Sequence, residues 1–129
     1  MENLIREQIS EGFFKYPDLN FDVQTGICEI KGESFMEDSK KFYNEMKDWF
    51  IGFHEENKNK PIILNIKLEY FNTSSSKMLY ELLKILQDIN EAGQDVMVNW
   101  YYDDNDTDLE EDIIDLVYDV NITINQIPI

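Results

Sequence analysis

Ten residues, IILNIKLEYF (62–71), run with only a short polar stretch into a helix pattern, and that change of period restricts the chain to few architectures. Ile62, Leu64, Ile66, Leu68 and Tyr70 alternate with Ile63, Asn65, Lys67, Glu69 and Phe71, as in a strand with one buried face. From Lys77 to Asn90, the side chains of Leu79, Leu82, Leu83, Leu86 and Ile89 fall on one helical face, and Gly93 supplies a stop. Val96, Val98, Trp100 and Tyr102 then alternate again. Strand, helix and strand in succession imply a right-handed crossover and a sheet that is at least partly parallel. Ile62, Leu64, Ile66, Leu79, Leu82, Leu83, Leu86, Val98 and Trp100 are the expected core.

The flanking segments extend the same alternation. Leu4 to Ile9 reads as a first strand, with Gly12-Phe13-Phe14 after it unassigned. Pro17 to Val23 and Ile27 to Lys31, parted by Gln24-Thr25-Gly26, read as a hairpin. Phe42, Met46, Trp49, Phe50 and Phe53 stripe a helix from Asp38 to about Asn57, with Glu37 and Asp38 suited to the positive end of its dipole and His54 to its last turn. Thr107 and Glu110 match a capping box for a third helix carrying Leu109, Ile113, Leu116 and Val117, and Ile122, Ile124 and Ile127 form a last short strand. The expectation is a single α/β domain over residues 1–129: a mixed sheet with amphipathic helices packed on it.

Charge narrows the partners. The chain carries 27 acids against 11 Lys and Arg, a net charge of −16. Lys84 is the last basic residue, and residues 85–129 hold 12 acids. Such a surface repels phosphate backbones and anionic lipid, so neither nucleic acid nor membrane is an expected partner, whereas cationic proteins are steered toward it. No run reaches the roughly 18 to 20 apolar residues of a membrane span. One cysteine, Cys28, excludes an internal disulfide and fits a reducing, cytoplasmic setting, where its expected role is that of a small buried hydrophobe.

Enzyme signatures are sparse. A single histidine and a single cysteine, far apart, give little basis for a nucleophile-and-base triad or a zinc site. The chain has no GxGxxG, no GxxxxGK[ST] and no GxSxG, and no cofactor is expected. Asp104, Asp106 and Asp108 alternate like a calcium loop, but the sixth position of that register is Leu109 and the twelfth Asp115, where glycine and glutamate belong. The expected state is a solvated acidic loop without a metal.

The stretch NTSSSK (72–77) at the carboxyl end of the central strand lies where α/β sheets commonly carry function. One capping oxygen, from Thr73 or Ser74, would satisfy a helix start, so four consecutive hydroxyls are a surplus. As structure, the extra hydroxyls are tolerated in a first turn. As chemistry, a phosphate added at a helix N-terminus meets unpaired amides and a positive dipole end, with Lys77 placed to pair it.

Four motifs together resemble the SiaC-type bacterial regulatory phosphoproteins, small domains related in fold to the STAS domains of anti-sigma factor antagonists. They are FDVQTGICEIKGES (21–34), LNIKLEYFNTSSSKML (64–79), VNWYYDDND (98–106) and the terminal IPI. GESFMEDS (32–39) departs from the GES-Tyr-Pro-Glu-Asn-Ser expected of such proteins. The resemblance implies a STAS-like fold and partner switching without enzymatic activity. It implies phosphorylation of Thr73 by a dedicated serine/threonine kinase, reversal by a PP2C-type phosphatase, and an unphosphorylated form that activates a diguanylate cyclase. Asn72, Ser74, Ser75, Ser76 and Lys77 then surround the acceptor. A passive acidic scaffold, a small enzyme and an acidic-loop metal binder are the alternatives.

Overall fold

The computed structural model describes residues 1–129. Strands β1 (Leu4–Arg6), β4 (Asp18–Phe21), β5 (Ile27–Ser34), β6 (Ile62–Phe71), β7 (Val96–Tyr102) and β8 (Thr123–Pro128) form one sheet in the order β1-β4-β5-β6-β7-β8. The pairs β1–β4 and β4–β5 are antiparallel, and β5, β6, β7 and β8 run parallel. Helices α1 (Lys40–Glu56), α2 (Thr73–Glu91) and α3 (Thr107–Val117) are the three crossovers. Because the strand order advances in one direction, right-handed crossovers put all three helices on the same face. The other face carries the hydrogen-bonded amides of Asn65, Asn99 and Asn125, and Lys67 above the ring of Tyr101.

The proposed first strand divides. Only Leu4–Arg6 joins the main sheet; β2 (Ile9–Glu11) and β3 (Phe14–Tyr16) make a separate hairpin around Gly12, whose φ is 61°. The exposed Glu7-Gln8 step separates the two pieces, and the amide of Gln8 donates to the carboxylate of Asp18 at 2.6 Å. The Gly12-Phe13-Phe14 stretch thus holds the turn of a hairpin, with Phe13 at its exposed tip.

Every expected core residue is fully buried: Ile62, Leu64 and Ile66, Leu79, Leu82, Leu83 and Leu86, and Val98 and Trp100. Two side-chain assignments change. In α1 the buried residue of the first turn is Tyr43, while Phe42 lies half-buried against Tyr16, ring centroids 5.6 Å apart. In β6 the alternation reverses after Leu68, so that Tyr70 is exposed and Phe71 buried. The pairing explains this: Gly32 faces Leu68 but Glu33 faces Tyr70, leaving Glu69 as one extra residue on β6. The bulge turns Phe71 inward against Trp100, with centroids 5.8 Å apart, and so aims the start of α2.

Cys28 has no exposed surface, and burial pushes its thiol up, which fits a core residue and not a reactive one. His54 does lie in the last turn of α1, where its Nδ1 is 2.6 Å from Oε1 of the buried Gln94. Gln94 in turn donates to the carbonyls of Asn57 and Lys60, so the histidine belongs to a knot closing the C-terminal end of α1.

Candidate functional site

Helix α2 begins at Thr73, four residues before the start expected at Lys77, because Asn72 is the cap. Its Oδ1 accepts from the amide of Ser75 at 3.0 Å and its carbonyl from that of Ser76 at 2.8 Å. The cap expected at Thr73 or Ser74 is therefore Asn72 instead, and both hydroxyl residues lie in the first turn. Asn72 also donates through Nδ2 to the carbonyl of Met36 at 2.8 Å, and its own amide donates to the carbonyl of Ser34 at 3.0 Å. One side chain thus starts the helix and fastens it to the segment between β5 and α1.

The hydroxyl run divides by role. Ser75 is fully buried, its Oγ accepting from Ser34 Oγ at 2.7 Å, and Ser34 Oγ lies 2.8 Å from the hydroxyl of the buried Tyr43. The carbonyl of Ser34 is also 3.1 Å from Ser75 Oγ. Burial pushes the Tyr43 phenol up, keeping it neutral, with the two serine hydroxyls opposing the shift. Ser74 is half-buried, and Ser39 at the start of α1 donates to its carbonyl at 2.8 Å and lies 2.8 Å from its hydroxyl. Ser39 therefore spends its side chain on α2 and gives none to its own helix, whose first amide, that of Lys40, is served by Asp38 at 3.1 Å.

Thr73 and Ser76 are left over. Thr73 is exposed and Ser76 half-exposed, and both line a cavity of about 290 Å³ between α2 and α3. Phe71 and Asn72 complete their side; Asp112 and Asp115 of α3 stand on the other. Lys77 is exposed and does not line this cavity, so the wall facing Thr73 is acidic. Replacing Asn72 by alanine removes the cap and the side-chain tie to Met36 while keeping the backbone bond to Ser34; a loss of about 1–2 kcal/mol is expected, read as a lowered urea midpoint with unchanged slope.

Ser34, Ser39 and Tyr43 were not foreseen as part of this site. A faint signal existed, since Ser34 shares the parity of the buried Cys28 and Ile30 on β5, and a small polar residue facing a core needs a polar partner.

The acidic loop is arranged differently from the capping box expected at Thr107. Asp106 caps α3, accepting from the amide of Leu109 at 3.0 Å, and Asp103 accepts from the amide of Asn105 at 2.9 Å. Thr107 is the first helical residue. Asp104, Asp106 and Asp108 are not among any group of three or more side chains placed to hold a metal ion. A larger concavity, about 700 Å³, lies at the carboxyl ends of β5, β6 and β7 and is not lined by Thr73. Its Lys67 is already 3.3 Å from Glu29, and His54 lines neither cavity.

Six strands in a mixed sheet, three helices on one face and a hydroxyl-rich turn after the central strand define a single-domain α/β protein of SiaC architecture. The model of the SiaC family of regulatory phosphoproteins matches residues 10–129, and the chain belongs to that family. An uncharacterized protein of Pseudomonas aeruginosa (strain UCBPP-PA14) is 31% identical over 87 residues, spanning 67% of this chain and 68% of that protein. The crystal structure of apo-SiaC from Pseudomonas aeruginosa superposes with a TM-score of 0.86 at 24% identity, covering 98% of this chain and 99% of the other. SiaC in complex with the diguanylate cyclase SiaD, which it activates, superposes with a TM-score of 0.83 at 24% identity over 96% and 100% of the two chains. No helix of the present chain is long and apolar enough to cross a membrane.

Proposed function

We propose that this chain is a partner-switching phosphoprotein whose acceptor is Thr73 and whose unphosphorylated form binds and activates a diguanylate cyclase in the cytoplasm. The division of labour in the hydroxyl run supports this reading: Ser74 and Ser75 are committed to Ser39 and Ser34, whereas Thr73 is exposed at the first turn of α2 and hydrogen-bonds to no side chain. The family is a regulatory one, and a solved relative is held by a cyclase. The chain itself supplies no catalysis in this scheme. A separate serine/threonine kinase moves the γ-phosphoryl group of a nucleoside triphosphate to Thr73. The Oγ1–P bond forms as the bond to the leaving diphosphate breaks, and the hydroxyl proton passes to a base of the kinase. A PP2C-type phosphatase returns the hydroxyl by hydrolysis.

The modification adds about −1.5 to −2 of charge to a surface that a partner must desolvate. Peptide mass spectrometry of the chain isolated from its own cells tests the assignment. A phosphate on Thr73 is the expected result. A phosphate on Ser76 moves the acceptor by one turn, and one on Ser74 or Ser75, or none under any growth condition, contradicts the reading.

A further inference from the structure

We propose that Asp112 and Asp115 are the residues through which a phosphate on Thr73 acts: the three share one cavity, and repulsion between them loosens α3 from α2. The inference rests on the acceptor reading given above. The cavity wall formed by α3 has no compensating charge, because α3 contains Asp108, Glu110, Glu111, Asp112 and Asp115 and no base. Neither Asp112 nor Asp115 forms an ion pair or a hydrogen bond with α2. In the unmodified protein these carboxylates face the neutral hydroxyls of Thr73 and Ser76 across about 290 Å³.

A phosphate changes that balance. It brings a third anion into a cleft that already holds two carboxylates and no base, so the repulsion is concentrated between α2 and α3 and weakens as salt is added. The positive end of α2 offsets only part of it, being equivalent to roughly half a charge against two full ones. The ties that hold α3 are few. Leu109, Ile113 and Leu116 are buried, and two polar bonds follow its C-terminal end: Tyr80 donates to Asp119 at 2.9 Å, and the amide of Asn121 to Gln87 at 2.7 Å. The middle of the helix, where Asp112 and Asp115 sit, is held by its apolar face alone. Phosphorylation is thereby converted from a local charge into a loosened α3 and an altered acidic surface beside the acceptor.

Amide hydrogen exchange measures this directly. Phosphothreonine is installed at position 73 of the full chain by genetic encoding, and exchange across residues 107–117 is compared with the unmodified protein, with α1 as the control for folding. Exchange in α3 is expected to rise about tenfold in low salt and by clearly less in roughly 1 M salt. In the D112N/D115N protein, whose changes are isosteric and at exposed positions, the same phosphate should alter α3 exchange by less than about twofold. Unchanged α3 exchange in the phosphorylated wild type overturns the proposal, as does equal acceleration in D112N/D115N. Because the phosphate is installed, the outcome is independent of which residue a cellular kinase selects; only the phosphosite map decides that.

Discussion

Thr73→Asp is expected to weaken binding to the proposed cyclase partner by about thirtyfold, while Thr73→Ala stays within about threefold of the unmodified protein. The asymmetry follows from what each substitution asks of an interface. Alanine removes a hydroxyl that hydrogen-bonds to no side chain of the chain itself, so little is left unsatisfied when the surface is covered. Aspartate must be desolvated as an anion beside Asp112 and Asp115, with no lysine on the cavity to receive it. It should still act less strongly than phosphate, having one charge and two oxygens where phosphate has nearly two charges and three oxygens. Cyclase turnover at limiting concentrations of each variant checks the order: wild type and Thr73→Ala alike, Thr73→Asp reduced, and only the wild type responsive to the kinase.

Gly26→Ala should lower stability by about 3 kcal/mol or more and the melting temperature by about 10 °C. Gly26 holds a φ of 75° in the turn between β4 and β5, and a Cβ built there overlaps the carbonyl oxygen of Pro61. The turn is fixed on both sides, since the amide of Gly26 donates to Asp22 and the amide of Ile63 donates to the carbonyl of Gly26. That second bond sets the β5–β6 register, which ends with Ser34 opposite Phe71 at the mouth of α2. Strain at residue 26 therefore reaches the hydroxyl network. Gly12→Ala is the internal control: its φ is 61°, nothing lies within 4 Å of an added Cβ, and the backbone term alone, about 1 kcal/mol, should appear in thermal unfolding.

The architecture was legible because the period of the apolar residues changes cleanly. Ile62 to Leu68 alternate and Leu79 to Ile89 follow a helix, and the core they define is the core observed. Legibility stopped where a local event overrides periodicity. The bulge at Glu69 exchanges Tyr70 for Phe71, and nothing in IILNIKLEYF marks it, because it is set by the pairing with Gly32 and Glu33. The caps moved for a related reason. Asn72 and Asp106 each precede a threonine that is itself an acceptable cap, and tertiary ties decide between them, such as that of Asn72 to Met36.

By residue pattern alone Thr73 is one of four neighbouring hydroxyls, and only the family resemblance singles it out. What separates it from Ser74 and Ser75 is the presence of Ser39 and Ser34, which lie 35 and 41 positions from their respective partners Ser74 and Ser75, beyond any local pattern. The acidic wall was equally hidden. Lys77, four residues on in the sequence, is off the cavity, while Asp112 and Asp115 are brought onto it by the last crossover. The fold therefore reverses the sign of the charge that sequence proximity places beside the acceptor.

Calorimetric titration of the purified partner cyclase with the unmodified chain and with the chain phosphorylated at Thr73 tests the central claim most directly. The account predicts that the unmodified protein binds and that phosphate lowers its affinity by about a hundredfold or more. Equal affinities, or tighter binding of the phosphoprotein, would contradict it.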